Sequence, residues 1–171
     1  MAERTITISG FSKTFSVTGW RLGYLTASER WMPAISYFHD LVYVCAPSPL
    51  QHGAAAGLLA LPESFYTSVA ADHQRKRDVL CSGLRSAGLE PSVPAGAYYV
   101  LANATGIPGN NGRERARRLL RDTGVAAVAG SAFFGNDANG VNRGEDLLRF
   151  CFAKKDRDLD EACRKLVTLN S

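Results

Sequence analysis

The stretch Gly10-Phe11-Ser12-Lys13-Thr14-Phe15-Ser16-Val17-Thr18-Gly19-Trp20-Arg21-Leu22-Gly23 constrains this chain more than any other. The residues before it, Thr5-Ile6-Thr7-Ile8-Ser9, alternate and are mostly β-branched, the pattern of a strand. We expect a strand over residues 4–9, a turn over 10–19 and a second strand over 20–26, where residue size alternates again. Lys13 then stands where a strand ends, among small residues that let a ligand come close to the backbone. A lysine held in a pocket at such a place suits Schiff-base chemistry with a carbonyl cofactor. Arg21 follows eight residues later. Because Lys13 lies so near the first residue, whatever normally precedes such a lysine is expected to be missing.

The 171 residues suffice for one ordinary domain, or one domain with part of another. Charged residues are 21% and hydrophobic residues 46%, the balance of a globular protein. The net charge of +4 comes mainly from arginine, which outnumbers lysine fifteen to five and favours planar partners such as carboxylate and phosphate. The four cysteines, Cys45, Cys81, Cys151 and Cys163, lack Cys-x-x-Cys spacing and a nearby histidine pair. They read as small buried apolar residues in a reducing compartment, with neither zinc nor a disulfide framework. The longest apolar run, Ala54 to Leu61, is too short to span a bilayer. We expect a soluble cytoplasmic protein with no membrane and no nucleic-acid partner. The arginines at 113, 115, 117, 118 and 121 fall round much of one helix, with no aromatic platform between them.

Further along, Ser28 reads as the cap of a helix running toward Asp40, and Cys45 to Pro49 as a break. An Ala/Leu-rich helix from Leu50 to about Leu61 is expected to be buried. A long amphipathic helix follows from Glu63 to about Ala87, its stripe Phe65, Val69, Val79, Leu80 and Leu84, with Gly88 ending it. Strands are expected over 97–101, 125–128 and 147–152. An exposed basic helix runs from Arg113 to Thr123, stopped by Gly124, and a last helix from Asp156 to Leu169. The loop Gly135 to Gly144 reads as mobile rather than catalytic. The pattern is α/β, with the division inside the long helix: residues 1–75 form one part and 76–171 the other. Two strands and two helices cannot bury two sheet faces, so the first part is expected to leave apolar faces and sheet edges open, and to be poorly soluble or to oligomerise.

From about residue 6 to residue 168 the chain resembles the class I and II aminotransferases, fold-type I enzymes that use pyridoxal 5'-phosphate (PLP). The attachment signature from Gly10 to Gly23 is complete at its defining positions. Three later segments resemble the family in the same order: Pro94 to Leu101, Gly124 to Phe134, and Leu148 to Ala153. The resemblance implies a partial PLP-dependent transferase fold: the end of the large-domain sheet carrying the lysine, then the C-terminal small α+β domain. It implies that Lys13 forms the Schiff base with PLP and shuttles the substrate Cα proton, that Arg21 binds the cofactor phosphate with Ser12 and Ser9 as further donors, and that Arg149 grips the substrate α-carboxylate. Gly10 stands where many relatives have serine, so that hydroxyl contact is absent. One of Tyr98 and Tyr99 is expected to face the core and the other the substrate. Gln51 and His52 read as structural. The family places its pyridine-nitrogen acid, its ring-stacking aromatic residue and its glycine-rich phosphate loop before the lysine, and its members exceed twice this length. The chain is therefore expected to be a C-terminal piece holding about half a site.

By the same resemblance, the activity implied is amino-group exchange between an amino acid and a 2-oxo acid, in a homodimer, the small-domain segments leaning to the kynurenine/methionine/aspartate-like branch. A PLP-dependent C–S β-lyase or synthase, or a non-catalytic binding or dimerising module that kept the lysine by descent, stays open at this point.

Overall fold

A computed structural model describes residues 1–170. The chain divides into two compact units, Met1–Val69 and Ala70–Ser171. This division and the expected one after residue 75 both fall inside the long helix α3 (Glu63–Ser86).

The first unit opens with a short 3-10 turn, Ala2–Arg4, and an antiparallel ribbon of β1 (Thr7–Gly10) and β2 (Gly23–Thr26). Helices α1 (Met32–Tyr43) and α2 (Ser48–Ala60) follow. The strand expected over 20–26 begins only at Gly23. Thr18–Trp20 makes a 3-10 turn and Arg21 sits in left-handed backbone at φ 54°, which interrupts extension. Ser28 precedes another 3-10 turn, Glu29–Trp31, and caps nothing with its side chain; its hydroxyl donates instead to Glu3 Oε2 at 2.7 Å. Its place at the start of α1 is taken by that turn and by Pro33 in the first helical turn, where a missing N–H costs nothing.

Helix α2 is not buried as expected. Only Ala54 is enclosed, while Leu59 is 89% exposed. Val42 on α1 and Ile8 on β1 are similarly open, so the unit does leave apolar surface uncovered. Cys45, between α1 and α2, is also exposed rather than buried, because no element of this unit lies over that extended link.

The second unit is an antiparallel sheet in the order β3-β4-β6-β5, built from β3 (Glu90–Ser92), β4 (Tyr99–Asn103), β5 (Val128–Ala129) and β6 (Leu147–Cys151). Val100 and Ala102 of β4 and Leu148 and Phe150 of β6 point to one face. There they join Leu80 and Leu84 of α3, Leu119 of α4 (Gly112–Thr123), and Leu159 and Leu166 of α5 (Asp156–Leu166) in a single core. The expected stripe on α3 is thus divided: Leu80 and Leu84 enter this core, while Phe65 packs against Phe15 in the first unit.

Glycine stops both helices where expected. At the end of α3 the Gly88 N–H donates to Arg85 O at 3.0 Å and the Leu89 N–H to Leu84 O at 2.9 Å, with Gly88 at φ 76°. That is a Schellman turn, and the paired Leu84 and Leu89 side chains are both in the core. Gly124, at φ 74°, closes α4 by donating to Leu120 O. Asn111 caps the N-terminus of α4: its Oδ1 accepts the Glu114 N–H at 2.9 Å, while Glu114 Oε2 reaches back to accept the Asn110 N–H at 2.9 Å.

Charges tie α3 to α5. Arg75 pairs with Asp72 at 2.7 Å and with Asp156 at 2.8 Å, and Lys76 pairs with Asp72 at 2.6 Å. The hydrogen bonds from Lys76, then Arg75, hold the Asp72 carboxyl below its ordinary value of 3.8. A depressed carboxyl stabilises the fold above its unfolded value and ceases to do so as acid protonates it. The second unit should therefore lose stability below about pH 4, and Asp72→Asn should flatten that acid limb in thermal melts while leaving the midpoint at pH 8 lower than wild type. An unchanged acid limb would remove Asp72 from the account.

Candidate active site

The loop from Phe11 to Leu22 joins β1 to β2 and carries Lys13. Its aromatic residues fix it. Phe11 stacks on Phe15 with centroids 5.8 Å apart and meets Tyr24 at 5.3 Å; Phe15 meets Phe65 at 6.3 Å and Tyr66 at 6.4 Å. Trp20 rests against α2 at Gly53, where a Cβ would lie 3.0 Å from its ring. The two ends of the loop meet at the Gly10–Gly23 pair. A Cβ on Gly23 would stand 2.8 Å from Ser9 O, so this position needs glycine for close approach.

On this frame Lys13 is exposed, Ser12 is half-buried, and Ser9 lies in β1 opposite Tyr24. Thr18 links the two sides of the loop: its hydroxyl donates to Ser12 O at 3.3 Å, and its carbonyl accepts from Arg21 Nη1 at 3.1 Å. Arg21 and Ser16 both hold left-handed backbone, at φ 54° and 55°. Such conformations cost non-glycine residues about 1 kcal/mol or more and collect at binding sites. Among the described residues no carboxylate pairs with Arg21. The loop and the end of β1 thus carry a primary amine, a guanidinium with unused donors and the hydroxyls of Ser12 and Ser9, a donor set whose chemistry fits a phosphorylated carbonyl compound.

Arg149 belongs to the second unit. It lies in β6, which is paired on both sides, opposite Leu101 of β4 and Val128 of β5. It points away from the core, on the face that carries Tyr99, Leu101 and Cys151. Its Cζ is 4.0 Å from the centroid of the Tyr99 ring and 4.0 Å from that of Phe133. Two rings at that distance cannot share one face of a guanidinium, so the group lies between them. Its Nε is buried without a hydrogen-bond partner, and no carboxylate among the described residues pairs with it. A partly buried cation with no carboxylate partner fits a carboxylate ligand through its remaining donors.

The alternation of Tyr98 and Tyr99 resolves here: Tyr98 packs on the core and Tyr99 on Arg149, with ring centroids 4.4 Å apart. A hydrogen bond to Tyr99, together with burial, pushes the Tyr98 phenol above its ordinary 10.0, so it stays neutral. Phe133 was given no role by the sequence. The available signal was its place in an aromatic pair directly after Gly130-Ser131-Ala132, a glycine turn leaving β5.

The expected strand over 125–128 shrinks to Val128–Ala129, because the chain turns at once into the 3-10 segment Gly130–Ala132. Gly130 and Gly144 cross there, and a Cβ on Gly130 would stand 2.6 Å from Gly144 O. The loop expected to be mobile is tied down. Asp137 Oδ1 accepts the Asn139 and Val141 N–H groups, and Asn142 Nδ2 donates to Ser131 O at 3.2 Å and Phe134 O at 2.7 Å, on either side of Phe133.

Among the described residues no helix is long and apolar enough to cross a membrane. Gln51, expected to be structural, donates to Ala46 O at 2.7 Å in the approach to α2.

A family model for class I and II aminotransferases matches residues 1–166. Kynurenine–oxoglutarate transaminase from Dictyostelium discoideum is 32% identical over 186 residues, covering 99% of this chain and 42% of that protein. Among solved structures, N-succinyldiaminopimelate aminotransferase from Mycobacterium tuberculosis matches with a TM-score of 0.88 at 30% identity, over 99% of this chain and 43% of its own. YbdL from Escherichia coli, described as having a methionine aminotransferase function, matches with a TM-score of 0.87 at 30% identity, over 97% and 42%. The chain therefore spans about two fifths of the length of the relatives it matches. Its fold is the corresponding part of the PLP-dependent transferase fold. With its model matched across 166 residues, the chain belongs to the class I and II aminotransferase family.

Proposed function

We propose that the chain carries the lysine, the phosphate arginine and the carboxylate arginine of an aminotransferase that exchanges an amino group between an amino acid and a 2-oxo acid. The carrying observation is the Phe11–Leu22 loop, which presents Lys13 and an Arg21 with no carboxylate partner among the described residues, from a frame closed by the Gly10–Gly23 pair. When bound, PLP would supply the electron sink that stabilises charge at the substrate Cα.

The chain's own residues have distinct tasks. Lys13 Nζ would be the group that holds the cofactor by its aldehyde, and its amine would serve as the base and acid for the substrate Cα proton. Arg21, with Ser12 and Ser9 as further donors, would bind the phosphate, its guanidinium held by the Nη1 hydrogen bond to Thr18 O. Arg149 binds the substrate carboxylate and so orients Cα for proton removal. The exposed apolar side chains of α1, such as Phe38 and Leu41, support burial against more protein, including a second subunit.

Absorbance with added PLP tests the reading. A visible band is expected that survives dialysis, bleaches with an amino donor and is absent from Lys13→Ala. No band, or the same band in Lys13→Ala, would overturn cofactor attachment by this chain.

A further inference from the structure

Two rings and one buried nitrogen leave the Arg149 guanidinium a single way to meet a ligand. The planar group has two faces, and the rings of Tyr99 and Phe133 occupy them, each 4.0 Å from Cζ. It has two edges able to take a carboxylate bidentately: a side edge using Nε and one Nη, and an end edge using both Nη atoms. The side edge is closed, because Nε is buried and unpartnered. We propose that Tyr99 and Phe133 are positioning residues that hold Arg149 by its faces and present only its Nη1–Nη2 end to the carboxylate. This rests on the reading of Arg149 as a carboxylate site.

The supports of both rings argue the same way. Tyr99 is fixed by β-sheet pairing opposite Cys151, one place diagonal to Arg149 on the same face. Phe133 sits on an irregular turn, yet Asn142 holds the carbonyls of Ser131 and Phe134 around it, and the Gly130–Gly144 crossing ties that turn to the segment leading into β6. Glu145 and Asp146 in that segment are anchored in turn. Glu145 Oε2 accepts the Gly112 N–H at 2.9 Å, and Arg115 Nη1 donates to Glu145 O and to Asp146 Oδ1, each at 3.0 Å. A turn this heavily fastened, ending in one ring against one guanidinium, is built to hold that guanidinium still. Stacking leaves the outward N–H groups unspent, whereas an ion pair would consume them.

The test is a titration of the full 171-residue chain with acetate at constant ionic strength, following the Arg149 side-chain resonances by NMR. The Nη protons should move on binding while the Nε proton does not. Tyr99→Leu and Phe133→Leu should each weaken acetate by about three- to tenfold, with an intact core spectrum, and Tyr99→Phe should bind as wild type because it keeps the ring. Movement of Nε–H with acetate, or full affinity in both leucine variants, would overturn the positioning role while leaving Arg149 as the carboxylate site. No acetate response anywhere on Arg149 would overturn both readings. Should a leucine variant unfold, Asn142→Ala gives the second measurement: it should weaken acetate through Phe133 alone, and unchanged affinity with a shifted Phe133 ring would count against the proposal.

Discussion

Replacing Arg149 by methionine is expected to abolish carboxylate binding while leaving the second unit about as stable as before. The two effects separate because the guanidinium contributes little net stability where it lies. An unpartnered buried N–H costs about 1–3 kcal/mol. The two ring contacts return about 0.5–2 kcal/mol each, so the sum is near zero. Methionine is of similar length and keeps a favourable contact between its sulfur and the rings, worth about 0.3–1.5 kcal/mol. Removing a charge that a carboxylate ligand grips bidentately costs about 2–5 kcal/mol of binding, a loss of roughly 30-fold to more than 1,000-fold. Thermal melts and a carboxylate titration on the same samples decide the matter. A loss of more than about 2 kcal/mol in stability would make Arg149 a structural residue, and retained binding would place the carboxylate elsewhere.

Truncation of Phe152 should do the reverse. This ring follows β6, is 1% exposed, and meets His73 of α3 edge-on with centroids 6.3 Å apart. Phe152→Ala removes a large buried group that the surrounding helices cannot easily replace, and about 3–5 kcal/mol of stability is expected to go with it. For a unit of this size that lowers the melting midpoint by more than about 10 °C. Leu59→Ala, at a position 89% exposed, should change the melt by less than about 0.5 kcal/mol. A Phe152→Ala protein that melts within a few degrees of wild type would show that the core relaxes around the void.

The parts legible in the sequence are those governed by short-range rules. The lysine loop was visible because glycine, serine and β-branched residues mark a strand end at once. Gly88 and Gly124 marked helix ends because each takes a left-handed backbone that other residues resist. What escaped depends on longer-range pairing. Strand β3 is not legible because Pro91 argues against a strand, yet it is an edge strand, where a missing N–H is tolerated. Trp20 and Arg21 read as strand by alternation, but the loop closes only if Arg21 turns left-handed. The burial expected of α2 followed its composition, whereas burial depends on what lies over it. Arg149 was legible as a cation in an apolar strand. Its setting between two rings was not, since Phe133 lies sixteen residues before it and arrives through a glycine crossing.

The pairing of β6 on both sides has a consequence for how this cation could ever be lost. Successive side chains of a strand alternate between faces, so Leu148 and Phe150 look inward because Arg149 looks outward. Sliding β6 by one residue would drive a guanidinium into the hydrocarbon interior and expel a leucine and a phenylalanine into water. Chemistry and folding therefore share one alignment. The oily neighbours Leu148 and Phe150 act as the latch that keeps the guanidinium on the outer face of the sheet.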